Sequence, residues 1–225
     1  MDAKRCEEEF MKTIEEFIEE EELVAIKGFM DIYSNDDGST YFLKLDEDDL
    51  NKQFLYFSYI MNAPQASAQT GGRPSNGKVL EFRNFKKEKI GLYQINTSYI
   101  NKNKNNNISK SSLTNITEAF VEVFKPSAKT GNSVLINVNS ILLSEKMDSI
   151  SYVPSEYREY ISVNYGNQDE SKTFVRNVFN NKTNTAFEVT FAYENRMPNV
   201  NAFSVESVTD PRYLSVTARH ILSLI

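Results

Sequence analysis

The chain has 225 residues, 40% hydrophobic and 25% charged, which is ordinary for a globular protein and long enough to bury a sizeable core. Its single cysteine, Cys6, excludes an internal disulfide and a thiolate metal site, and no run of about eighteen apolar residues offers a transmembrane helix. The net charge of −6 is unevenly placed. Residues 1–22 hold ten acids against three bases, and the other 203 residues hold 21 acids against 22 bases. That near-neutral body has no basic stripe, so nucleic acid is not an expected partner.

The acidic leader reads as a helix. Phe10, Ile14, Phe17 and Ile18 fall on one stripe of an otherwise charged cylinder, and the first division of the chain is an acidic amphipathic helix over 1–25. Lys4 and Arg5 near its start and Glu19–Glu22 at its end oppose the helix dipole, so the stripe must be packed for the helix to hold. From Lys27 onward the pattern is β, and residues 26–225 read as one β-rich domain. Phe29–Tyr33 and Tyr41–Leu45 are strands joined by the Asn35–Gly38 turn, whose Asp-Gly step is a hairpin signal. Asp46–Lys52 reads as one helical turn with Asp46 as N-cap, and Phe54–Met61 as a central strand with aromatics on both faces.

Val79–Phe85 and Ile90–Ile95 are further strands about a charged turn at Lys86–Lys89. Asn101–Asn107 is an asparagine-rich surface loop, and Ser111–Ala119 reads as a short helix. Phe120–Phe124 and Val134–Val138 are strands, the second feeding Ser140–Leu143, while 145–182 resists assignment. Ala186–Tyr193, Phe203–Val208 and the closing segment 213–225 form an antiparallel set. In the last of these, Leu214, Val216, Ala218, His220, Leu222 and Leu224 share one face. The fold class is mainly β (α+β): a large antiparallel sheet, curved or two-layered, with an N-terminal helix and a few short helices.

Residues able to do chemistry are sparse. His220 is the only histidine and sits on the apolar face of the last strand, which is the place of a hydrogen-bonded core residue. Cys6 lies in an acidic segment that raises a thiol pKa. The carboxylates of Asp46–Asp49 cap a helix start. Gly72–Lys78 matches the first seven positions of a P-loop, but Val79 stands where Ser or Thr must hold magnesium, and a strand follows. Aligning Gly38 with the sixth position of a calcium loop puts Tyr33 where a carboxylate is required. No spacing gathers Arg73, Arg83, Arg176, Arg196 and Arg219 into one site. The sequence thus predicts no catalytic, cofactor-binding or metal-binding residue.

The order of elements resembles the N-terminal region of bacterial zincin-type zinc metalloproteases. The matching segments are Lys27-Gly28-Phe29-Met30-Asp31-Ile32-Tyr33, Tyr41-Phe42-Leu43, Leu50–Leu55, the Gly71–Gly77 loop and Val79-Leu80-Glu81-Phe82-Arg83. They continue with Val134–Val138, Arg176 with Asn184, and Leu214–His220. Lys172 and Asn177 depart from the pattern, in which an Asp precedes an Arg-Ser pair. The resemblance implies a region without catalytic residues of its own, followed past Ile225 by a domain carrying H-E-x-x-H-x-x-G-x-x-H and its zinc.

The expected function is therefore a non-catalytic N-terminal domain that scaffolds or covers a catalytic domain in cis, or positions a peptide or protein substrate. No cofactor is expected in this chain. A periplasmic or extracellular location follows only from the resemblance, since MDAKRCEEEF has no apolar signal core. The alternative is a free-standing β-sandwich module that binds protein or carbohydrate through the loops 62–77 and 97–110. An exposed apolar patch near the C-terminal strand marks the docking domain, and a concave face lined with aromatic rings marks the free-standing binder.

Overall fold

Two antiparallel sheets stack face to face, and a helix covers the outer side of the smaller one. The computed structural model describes residues 11–69, 71–98, 116–150, 157 and 160–225. Helix α1 is Ile14–Glu20, and strands β1 (Val24–Ile26), β2 (Asp31–Ser34) and β3 (Tyr41–Leu45) follow. Next come β4 (Gln53–Asn62), β5 (Lys78–Phe85), β6 (Lys89–Gln94), β7 (Ala119–Phe124), β8 (Pro126–Thr130) and β9 (Ser133–Asn137). The short α2 (Asn139–Leu142) precedes β10 (Asn167–Gln168), β11 (Phe174–Asn180), β12 (Asn184–Glu194) and β13 (Tyr213–Ser223). The small sheet runs β1-β2-β3-β9-β8. The large one runs β10-β12-β13-β4-β5-β6-β7, with β11 also paired to β12. The mainly β, two-layered class expected from the sequence is the class observed.

Period-two alternation decides which side chains meet. In β3, Tyr41, Leu43 and Leu45 face the large sheet, and Phe42 faces the opposite way. From the large sheet, Phe54, Tyr56, Leu80, Phe82, Phe187, Val189, Phe191 and Val216 complete the main core. Phe42, Tyr33, Leu135 and Ala128 form a second core with Ile14, Phe17 and Ile18 of α1. The small sheet is thus buried on both faces, which explains its nearly unbroken apolar runs.

Several expectations need correction. The leading helix is confined to Ile14–Glu20, while Phe10 lies outside the described residues. Thr13 starts the helix with a capping box to Glu16, and Glu22 at φ 50° turns the chain out of it. Leu23 then joins the second core and Val24–Ile26 pairs with β2, so β structure begins before Lys27. Phe203–Val208 is not a strand. It holds part of a 3-10 turn (Val200–Ser204), because β12 and β4 already occupy both edges of β13. The last strand ends at Ser223, leaving Leu224 and Ile225 exposed.

β8 and β11 were hidden in the sequence. Pro126 opens β8 on the edge of the small sheet, a position that tolerates a residue without an N–H. β11 borders β12 with a bulge between Val175 and Asn177, and the bulge breaks its alternation. The Asn101–Asn107 loop lies outside the described residues. So does most of the helix expected over Ser111–Ala119, although Ala119 itself begins β7.

Candidate functional site

The fold keeps apart the residues that the sequence offers for chemistry. His220 is fully buried, with Nδ1 2.8 Å from the Tyr56 hydroxyl and, among the described residues, no hydrogen-bond partner at Nε2. Burial pushes the imidazole down to about 4 and pushes the Tyr56 phenol up. The adjoining apolar cavity, about 30 Å³, is the size of a water or a methyl group and too small for a substrate. Asp46 pairs with Lys44 at 3.0 Å, and its backbone N–H donates to Asp49 at 2.9 Å, a capping arrangement. The Gly72–Lys78 loop leads into β5, not into a helix. Gly38 takes φ +67° in the turn ahead of β3. Cys6 lies outside the described residues. Among the described residues, no group of three or more His, Cys, Asp or Glu could hold a metal.

Two of the five arginines named above, Arg83 and Arg219, lie in separate clusters on one surface, the outer face of the large sheet. Register alone builds it. Phe179, Ala186, Ile221 and Phe57 stand opposite one another across β11, β12, β13 and β4, an apolar row over four adjacent strands. The next row is Asn177, Glu188, Arg219 and Tyr59. Arg219 donates to Glu188, through Nε at 3.0 Å and also through Nη2, and Asn177 donates to the other carboxylate oxygen. Burial raises the Glu188 carboxyl, but these hydrogen bonds outweigh it and hold the group below the usual carboxylate range. The Arg219 guanidinium also lies 5.6 Å from the Tyr59 ring and 5.1 Å from the Phe179 ring.

A second cluster sits on the same face at β5–β7. Arg83 donates to Glu81 at 2.6 Å and forks onto Glu118, while its guanidinium stacks 4.9 Å from the Tyr93 ring. Bonding to Arg83 holds the Glu118 carboxyl down. Phe120 lies 4.9 Å from Phe85 and 4.8 Å from Tyr93, and the three rings close over Gly91. A Cβ at residue 91 would fall 2.8 Å from Tyr93 and 2.9 Å from Phe120, so the missing side chain is what seats the rings. Leu55 and Val79 pair across β4 and β5 between the clusters.

Comparison with known proteins gave no match: no family model, no curated protein and no solved structure is similar to this chain.

The surface therefore has to be read from its own chemistry. It mixes half-buried aliphatic and aromatic side chains with two arginine–carboxylate clusters, each with one acid nearly withdrawn from water, Glu188 at 4% exposure and Glu81 at 6%, while Glu118 stays exposed. The rings differ from a sugar-stacking platform in one respect. Arg219 lies over both Tyr59 and Phe179, and Arg83 lies over Tyr93. Sequence spacing did not gather these arginines because β11 and β7 had first to be registered against their neighbours. The only signal in the sequence was β4, with aromatics on both faces.

Proposed function

We propose that this chain is a non-catalytic β-sandwich domain that docks another folded protein unit on the outer face of its large sheet. The observation that carries this reading is the Phe179–Ala186–Ile221–Phe57 row with the Arg219–Glu188 pair beside it. Such a face combines apolar contact area with pre-oriented charged groups, the mixture found in protein–protein contacts. The resemblance to zincin N-terminal regions makes the occupant a catalytic domain in cis.

Carbohydrate binding is the weaker reading. A sugar ring stacks on a free aromatic face, and guanidinium groups already lie over three of the rings. Oxidative side-chain labelling of the 225-residue chain and of the longer protein from the same reading frame tests the proposal. Docking predicts that labelling of Phe57, Tyr59 and Phe179 drops in the longer protein. Equal labelling in both, or a reading frame that encodes no further domain, refutes docking in cis.

A further inference from the structure

A second surface feature lies along the edge of β4, where the loop after it runs back beside Ser58–Ile60. The residues that imitate a P-loop in the sequence form one wall of a polar cleft of about 500 Å³, and Asp148–Ile150 form the other. That is within the size range of small-molecule sites. The loop is not a loose hairpin. Gly72 N–H donates to Ile60 O at 2.7 Å, Ile60 N–H to Arg73 O at 3.3 Å, and Ser75 N–H to Ser58 O at 2.6 Å. Ser75 Oγ accepts from Ser58 N–H at 2.8 Å, and Pro74 bridges to Tyr59. Main-chain bonds thus fix the loop along β4 before any ligand arrives, which removes an ordering cost from binding.

The charge inside the cleft is positive. Lys78 is nearly buried and held by Asp148 at 2.6 Å and by Met147 O at 3.2 Å. Arg73 is exposed at the rim and makes no ion pair among the described residues. Two cations therefore face one carboxylate. Ser149 is 4% exposed and lines the cleft, yet its hydroxyl has no hydrogen-bond partner among the described residues. A step between staggered rotamers is the motion available to bring that hydroxyl to an occupant. Asn76 and Gln94 add amide donors to the wall.

We propose that this cleft binds a small oxyanion, a carboxylate or phosphate group, with the Arg73 guanidinium as its main donor and Ser149 as a second. Arginine's planar fork matches either group in a bidentate manner. The geometry differs from a nucleotide P-loop, since no helix N-terminus follows and Val79 supplies no metal ligand. The cleft adjoins the docking face at the Pro74–Tyr59 bridge but uses different side chains, Arg73 and Ser149, so the two proposals are tested separately.

Amide NMR titration of the 225-residue chain with inorganic phosphate and, separately, with succinate tests it, against sodium chloride at matched ionic strength. Saturable shifts confined to residues 72–78, 94 and 147–150 are expected. Saturation by phosphate alone identifies a phosphate ligand, and saturation by succinate alone a carboxylate. Arg73→Ala lies on the exposed rim and should keep the fold, as circular dichroism will check, while weakening binding by about tenfold or more. Ser149→Ala should weaken it by several-fold. Shifts that never saturate, that sodium chloride reproduces, or that survive Arg73→Ala unchanged overturn the proposal.

Discussion

Gly28 and Asn180 touch so closely that a Cβ on residue 28 would lie 2.2 Å from the Asn180 side-chain oxygen. The contact joins the β1–β2 connection to the end of β11, and so joins the two sheets. Asn180 Nδ2 donates to Ile26 O at 2.6 Å and to Met30 O at 2.7 Å. Its Oδ1 accepts from Phe29 N–H at 3.1 Å and from the Thr185 hydroxyl at 2.6 Å. All the hydrogen-bonding capacity of one carboxamide is used, three of its four bonds crossing between layers and the fourth, from Thr185, lying within the large sheet. Asn180→Ala should cost about 2–4 kcal/mol in urea unfolding, because it strands several part-buried backbone groups at once. Gly28→Ala should also destabilise, by displacing the carboxamide. A loss under about 0.5 kcal/mol for Asn180→Ala would show that water replaces the bridge.

His220 makes stability depend on pH in a separate window. Tyr56 and Ser58 of β4 and Phe187 and Phe191 of β12 surround it, and no charged group faces the ring from these strands. The folded protein holds the imidazole at about 4, against about 6.5 when unfolded. Between those values the unfolded chain binds the extra proton. The contribution is therefore complete above about pH 6.5 and declines as pH falls toward 4, by about 3 kcal/mol in total. Glu188 and Glu118, held down by arginine, lose their contributions at lower pH still. Urea midpoints measured from pH 7 to 4 should fall steeply in the wild type and less in His220→Phe. Parallel curves for the two proteins would contradict a buried neutral imidazole.

Much of this fold was legible because alternation marks a sheet buried on one face. The sequence pattern places Tyr41–Leu45 with its true ends and β4, β5, β6, β7, β9, β12 and β13 within two residues at each end. What was lost follows from physics that a single window does not contain. The bulge at Val175–Asn177 moves β11 off period two, and an edge position lets Pro126 start β8. Phe203 suggested a strand through its apolar side chain, yet it is 62% exposed and only Ala202 beside it is buried. The outer face proposed for docking was legible only in part. Phe57 and Tyr59 are neighbours in sequence, but Phe179 and Arg219 join them through strand register over a separation no local pattern records.

The Arg219–Glu188 pair allows a cycle of substitutions. The Glu188 side chain is 5% exposed and Arg219 28%, so removing the arginine alone leaves a carboxylate almost without water and without its hydrogen-bonded cation. Arg219→Met alone should cost about 3 kcal/mol. Replacing both, as Arg219→Met with Glu188→Gln, should recover more than half of that loss, since desolvation of the ions disappears with them. Denaturant unfolding of the two singles and the double gives the coupling energy. Additive losses would mean that the pair is solvated and energetically idle.

The short helix α1 has little stability of its own. Seven residues are too few for a free helix in water, and four glutamates at Glu19–Glu22 crowd its negative end without a basic residue in the last turn. What holds it is contact with the small sheet. Ile14 is 2% exposed, and the Phe17 ring meets Phe42 edge-on at 5.4 Å. Ile14 N–H donates to the Thr130 hydroxyl at 2.9 Å, and Lys129 N–H donates to Lys12 O at 3.0 Å, which tie the first turn to β8. Ile14→Ala should cost about 3 kcal/mol and the half-buried Phe17→Ala about 2 kcal/mol, below the value for a fully buried ring. Thr13→Ala, which removes the capping oxygen, should cost about 1 kcal/mol. Because the sandwich does not depend on α1 for its main core, the losses should appear first as local detachment. A glutamate-specific protease will then cut between residues 15 and 22 faster in Ile14→Ala than in the wild type, while the sheets remain intact. Unchanged cleavage with an unchanged urea midpoint would mean that the helix is not held by its packed stripe.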